Sequence, residues 1–154
     1  MRIVLVILMA LIFSRCFEQP DCLINNTNIL KIALKGKTLG KDTTVRFTSI
    51  RALWLAENLY SKTESIGNIF VPLNLKDPLT TVIFKYETKL GTVIKTKSDT
   101  LVVVYRSETR VISPDCGAFL YQKDLNVSET NFTKVRVTTP ILLSTVTKNL
   151  EIFL

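Results

Sequence analysis

Three observations predict an all-β chain, an antiparallel sandwich or barrel. Apolar and polar residues alternate with period two, turn signals recur about every ten residues, and Leu101-Val102-Val103-Val104-Tyr105 is apolar on both faces. A β-branched run of that kind suits a central strand. Nine to ten strands are expected, and with no internal repeat or low-complexity linker they belong to a single domain.

The chain opens on Met1-Arg2, an apolar run from Ile3 to Phe13, and Ser14-Arg15-Cys16. That layout predicts a signal peptide over residues 1–16, cut after Cys16, with small residues at the −3 and −1 positions. A lipid-anchored cysteine needs a small residue where Arg15 stands, which argues against that processing. The mature chain, residues 17–154, is then a secreted, extracellular domain of 138 residues. Three acceptor sequons, at Asn25, Asn126 and Asn131, fit a glycosylating compartment. Cleavage leaves Cys22 and Cys116, an even pair that suits a disulfide. The bridge closes a loop of about 95 residues, worth on the order of 4–5 kcal/mol in the chain-entropy model. The alternative is two separate buried thiols.

Leu30, Ile32 and Leu34 alternate with Lys31, Ala33 and Lys35, and Val45, Phe47 and Ser49 with Thr44, Arg46 and Thr48. From Ile50 to Tyr60 the helix formers Ala52, Leu53, Leu55, Ala56 and Glu57 surround Trp54. A short helix and a strand running into a loop both fit there, and the neighbouring strands favour strand over Ala52 to Leu55. Val82, Phe84 and Tyr86 alternate with Ile83, Lys85 and Glu87, and Val135 and Val137 flank Arg136. Turns are expected at Gly36 to Gly40, Gly67-Asn68, Asp77-Pro78, Gly91, Ser98-Asp99, Ser113-Pro114-Asp115 and Thr139-Pro140.

The chain has no histidine, so Ser-His-Asp and Cys-His sites cannot be built and zinc loses its commonest ligand. No enzyme activity, cofactor or metal is expected; a hydrolase built on carboxylates alone would need two acids facing one another in a cleft. Gly36-Lys37-Thr38 lacks the first glycine of a phosphate loop, since Lys31 stands in its place, and reads as a turn. Lys31, Lys35, Lys37, Lys41, Arg46 and Arg51 fall close together with Asp42 as the one acid among them. They form a basic stripe suited to a sulfated glycosaminoglycan or an acidic protein. Nucleic acid is not expected, and no run after residue 16 is long enough to span a membrane. Tyr60, Phe70 and Tyr86 are the aromatic anchors expected to contact an extracellular protein.

The cysteines and strands together resemble an immunoglobulin-like β-sandwich, and more narrowly the secreted interleukin-18-binding proteins, virus-encoded decoys included. Cys22 before the first strand carries the resemblance, with Trp54-Leu55-Ala56-Glu57-Asn58 and the run from Cys116-Gly117-Ala118 to Asn131-Phe132-Thr133. It implies a cytokine decoy or immune modulator that binds an extracellular host protein. The chain departs from the pattern where immunoglobulin domains bridge the second and sixth strands, for no cysteine stands near Val45, Phe47 or Lys134. The stretch from Trp54 to Cys116 is also longer, by enough for a further hairpin. A small structural or assembly subunit of a larger extracellular or envelope glycoprotein complex is the alternative function.

Overall fold

The computed structural model describes residues 26–38, 40–61, 64–90 and 92–154. The expected signal peptide, Cys22 and Asn25 lie outside these residues. The described chain is all-β: β1 (Ile29–Lys35), β2 (Val45–Ala52), β3 (Glu64–Ile66), β4 (Asn68–Pro72), β5 (Leu79–Leu90), β6 (Val93–Ser113), β7 (Gly117–Thr130), β8 (Lys134–Val137) and β9 (Leu150–Phe153). They form a four-stranded sheet, β4-β1-β9-β8, and a five-stranded sheet, β3-β2-β5-β6-β7. Alternation selects the shared core. Leu30, Ile32, Leu34, Ile69, Val71, Leu150 and Ile152 meet Phe47, Ile50, Val82, Phe84, Leu101 and Val103 in one buried cluster. Phe84 stacks edge-on to Phe132, as Phe47 does to Tyr86, at centroid distances of 5.3 and 5.7 Å.

Three expectations are corrected. The pairing is not antiparallel throughout, because β9 lies parallel to β1, with Ala33 opposite Glu151. The seven strands between them provide the long crossover that a parallel pair requires. Ser98-Asp99 is no turn; β6 runs straight through it. The Asp99 carboxylate is buried and hydrogen-bonded, so its polarity is satisfied within the sheet. The strand expected over Ala52 to Leu55 ends at Ala52, and residues 53–59 are turn and bends, neither helix nor strand. The Leu53 amide donates to the Thr81 carbonyl, after which Leu59 and Tyr60 return to the Ile50 carbonyl. That tight return leaves no room for a helix.

β6 has 21 residues and at ~3.4 Å per residue reaches about 70 Å. Its core-facing residues are confined to Asp99–Tyr105, where 99, 101, 103 and 105 are buried in turn. At its start it pairs with β5 and at its end with β7, so two hairpin arms extend past the core in opposite directions. β7 bulges where the second arm begins, between the pairs Val104–Asn126 and Arg106–Lys123. Asp124, inside that bulge, has φ 55°, a left-handed conformation rare outside glycine.

Candidate functional site

At one end of the core the chain exposes apolar side chains. β2 stops at Ala52 and the turn after it presents Leu53 and Trp54; the β4–β5 loop presents Leu75. Trp54 is 42 % exposed and lines a hollow of about 470 Å³ with Asn28, Asn74, Leu75 and Lys76. Behind the hollow, Asn74 is held by the Thr80 hydroxyl and Asp77, and its carbonyl accepts the Tyr105 hydroxyl at 2.6 Å. The hollow therefore has a rigid floor and an apolar rim.

Trp54 is also tied to a sheet edge. The Leu73 and Leu34 amides donate to the Asn28 and Gly67 carbonyls. The alternating ladder between these points turns the peptide groups of Ile69 and Val71 towards β1 and those of Asn68, Phe70 and Pro72 outward. Pro72 has no N–H, and its outward carbonyl accepts the Trp54 indole N–H at 3.2 Å. The Pro72 end of the edge is thereby closed to a further strand. Phe70, 50 % exposed, remains outward on the same strand.

The expected site residues separate in space. Phe70 is exposed on the β4 edge, and Tyr60 is half-buried where it bridges back to Ile50. Tyr86 is not an exposed anchor: it continues the inward face of Val82 and Phe84 and is buried. The six basic residues are divided between the sheets. Lys31 and Lys35 lie on the outward face of β1, Lys37 and Lys41 follow it, and Arg46 and Arg51 lie on β2. Three of them have intramolecular partners on their side chains: Lys31 donates to the Ser144 and Val146 carbonyls, Lys35 pairs with Asp42, and Arg46 with Glu87. Asn126 and Asn131 are exposed, within and just after β7. Cys116 is half-buried in the turn at the tip of the β6–β7 arm, its amide donating to Ser113 Oγ.

The opposite end of the core is polar. The Tyr86 hydroxyl donates to Asp99, which also holds Lys97 at 2.8 Å. Burial, reinforced by the Asp99 carboxylate, pushes the Tyr86 phenol up to about 12. A cleft of about 290 Å³ opens beside them, lined by Lys37, Phe132, Phe153 and Leu154 among others. On the outward face of the four-stranded sheet, Glu151 is buried beneath Arg136, Lys148 and Lys35. Burial raises its pKa, but hydrogen bonds from Lys148 and Arg136 outweigh that and hold it below the usual carboxylate value. Among the described residues these two carboxylates lie buried at separate places, Asp99 neutralised by Lys97 and Glu151 by three cations, and neither faces a second acid.

A family model described as a family of unknown function, DUF6452, matches residues 48–154. The match begins within β2, covers Trp54, both arms and every strand from β3 onward, and omits β1. No curated protein and no solved structure matches the chain.

Proposed function

The chain belongs to the DUF6452 family, and we propose that it is a secreted, N-glycosylated β-domain that binds another protein outside the cell through its Trp54 end. The observation that carries this reading is the half-exposed Trp54, set with Leu53 and Leu75 around a hollow with a hydrogen-bonded floor. Aromatic anchors beside pockets on rigid supports are where binding energy concentrates. Glycans at Asn126 and Asn131 would cover the β7 edge and leave this end open. Export is supported by the arrangement of Met1 to Cys16. The Cys22–Cys116 bridge is supported by the Asn26 side chain, which donates to the Leu120 carbonyl at 2.7 Å. Each cysteine is only four residues from that contact.

The specific form of the proposal is an immunoglobulin-like decoy for a cytokine. Two sheets closing over one core support the sandwich, although β5, β6 and β7 follow one another as a meander rather than a Greek key. Purified secreted chain presented to a cytokine panel tests this form. A bound cytokine whose affinity falls at least tenfold with Trp54→Ala supports it. No binding at micromolar concentration overturns the decoy. The second reading, an assembly subunit, is favoured by Val111, 76 % exposed at the tip of the β6–β7 arm beside exposed Ile112. Secretion only on co-expression with a larger glycoprotein would select it.

A further inference from the structure

The β5–β6 arm projects four residues beyond Tyr86, roughly 14 Å at the rise of a strand. At its tip Leu90 pairs with Val93, and Ile94 pairs with Lys89. Val93 is 54 % exposed and Ile94 61 %, and because neighbours on a strand face opposite ways, the tip is aliphatic on both faces. Lys89 stands beside Ile94 on one face, and Lys95 lies two residues behind Val93 on the other; Lys85 and Lys97 follow. The arm's one acid, Glu87, is taken by Arg46 at 3.3 Å, whereas Lys85, Lys89 and Lys95 have no ion pair among the described residues.

An aliphatic tip held out on a two-stranded support, with a collar of free ammonium groups on both faces, suits one kind of partner. We propose that the β5–β6 arm docks on an anionic lipid surface, Val93 and Ile94 entering below the headgroups while Lys89 and Lys95 contact the phosphates. A purely electrostatic partner such as a sulfated polysaccharide would use the lysines and gain nothing from the aliphatic tip. A membrane interface uses both. The other arm lacks this combination. Val111 and Ile112 are exposed there too, but Asp115 follows close by and Glu108 takes up Arg110 and Lys123.

Sedimentation of the purified chain with phosphatidylcholine vesicles, with and without phosphatidylglycerol, tests the proposal. Binding is expected only with phosphatidylglycerol present, and it should weaken as salt rises. Val93→Ser with Ile94→Ser should lower the partition at least about tenfold. Lys89→Gln and Lys95→Gln should each lower it about fivefold. Val111→Ser with Ile112→Ser should leave it unchanged. All these positions are exposed, so far-ultraviolet circular dichroism should show an intact fold in every variant. Absence of binding to phosphatidylglycerol vesicles, or binding indifferent to the tip substitutions, overturns the proposal. Retention on heparin without vesicle binding also overturns it and assigns the lysines to a polysaccharide.

Discussion

β6 leaves the core at both ends, and the two exits are closed differently. At its start, Tyr86 on β5 donates to the buried Asp99 of β6, with Lys97 completing the charge. At its end, Tyr105 lies within 2.8 Å of the Thr80 hydroxyl and donates to the Asn74 carbonyl; no charged group bonds to it directly, and Asp77 is reached only through the Asn74 side chain. Each tyrosine carries the apolar core outward and finishes it with a hydrogen bond. The arms beyond divide their charge in the opposite way. Past the ionic exit the lysines are mostly free, whereas past the neutral exit Arg106, Arg110 and Lys123 are paired with Asp124 and Glu108. The first arm is anchored by charge at its base and offers charge at its surface. The second rests on neutral contacts and neutralises its charges internally.

The largest expected effect breaks the ionic exit. Asp99→Ala leaves the Tyr86 hydroxyl buried without its acceptor and Lys97 without its partner, and should cost about 3 kcal/mol. Thr80→Val at the neutral exit should cost about 2 kcal/mol, because the buried Asn74 amide loses its acceptor while Tyr105 keeps its bond to the Asn74 carbonyl. Urea denaturation monitored by circular dichroism compares the two, and equal losses would show that the exits are equivalent.

The second effect is a pH dependence. The Tyr86 phenol has a folded pKa of about 12, above the ordinary value of 10. Between those values the unfolded chain has released a proton that the folded chain retains. The stabilisation is therefore fully present below pH 10 and is lost as pH rises towards 12. The loss should be on the order of 2 kcal/mol. Burial also raises Tyr105, so some of the alkaline loss originates at the other exit. Tyr86→Phe should flatten the decline in urea midpoint over this window, and an unchanged decline would remove Tyr86 as its source.

Much of this architecture was legible in the sequence. Val82 and Phe84 set an inward face whose continuation two residues later is Tyr86, so strict period-two reading would have buried the tyrosine. Asp99 was opaque, because Ser-Asp is a turn signal and it is the Tyr86 hydroxyl, 13 residues away in sequence, together with Lys97, that satisfies it inside a strand. Glu151 was opaque for a related reason. Outward on β9 between buried Leu150 and Ile152, it reads as solvated, yet Lys35, Arg136 and Lys148 cover it from three separate segments. Lys148 is near in sequence, but the contributions of Lys35 and Arg136 are long-range and leave no local pattern. The exposed Trp54 defied its usual preference for interiors because the chain turns back immediately after Ala52.

A smaller effect sharpens the boundary of the second arm. Asp124 holds φ 55° in the bulge where β7 leaves the core. Glycine adopts that conformation without a Cβ penalty, and the exposed Arg106–Asp124 pair at 3.2 Å contributes little. Asp124→Gly should therefore stabilise the chain by about 0.5–1 kcal/mol. Asp124→Val should destabilise it, since a β-branched residue resists a left-handed backbone. Both are measurable as shifts in thermal midpoint.

The smallest effect tests whether the second arm belongs to the cooperative core at all. Glu108 accepts from Arg110 at 2.8 Å and also pairs with Lys123 across the strand. Arg110 in turn lies over the Tyr121 ring, and Ser107 donates to Gln122. These contacts involve partly exposed groups, for which each pair is worth about 0.5 kcal/mol or less. Glu108→Gln should thus leave global stability nearly unchanged while amides of residues 106–113 exchange faster with deuterium. If the arm opens independently of the core, those amides respond and the amides of Leu101 and Val103 do not. A global loss as large as that of Asp99→Ala would instead show that the arm unfolds only with the core, and the contrast between the two exits of β6 would disappear.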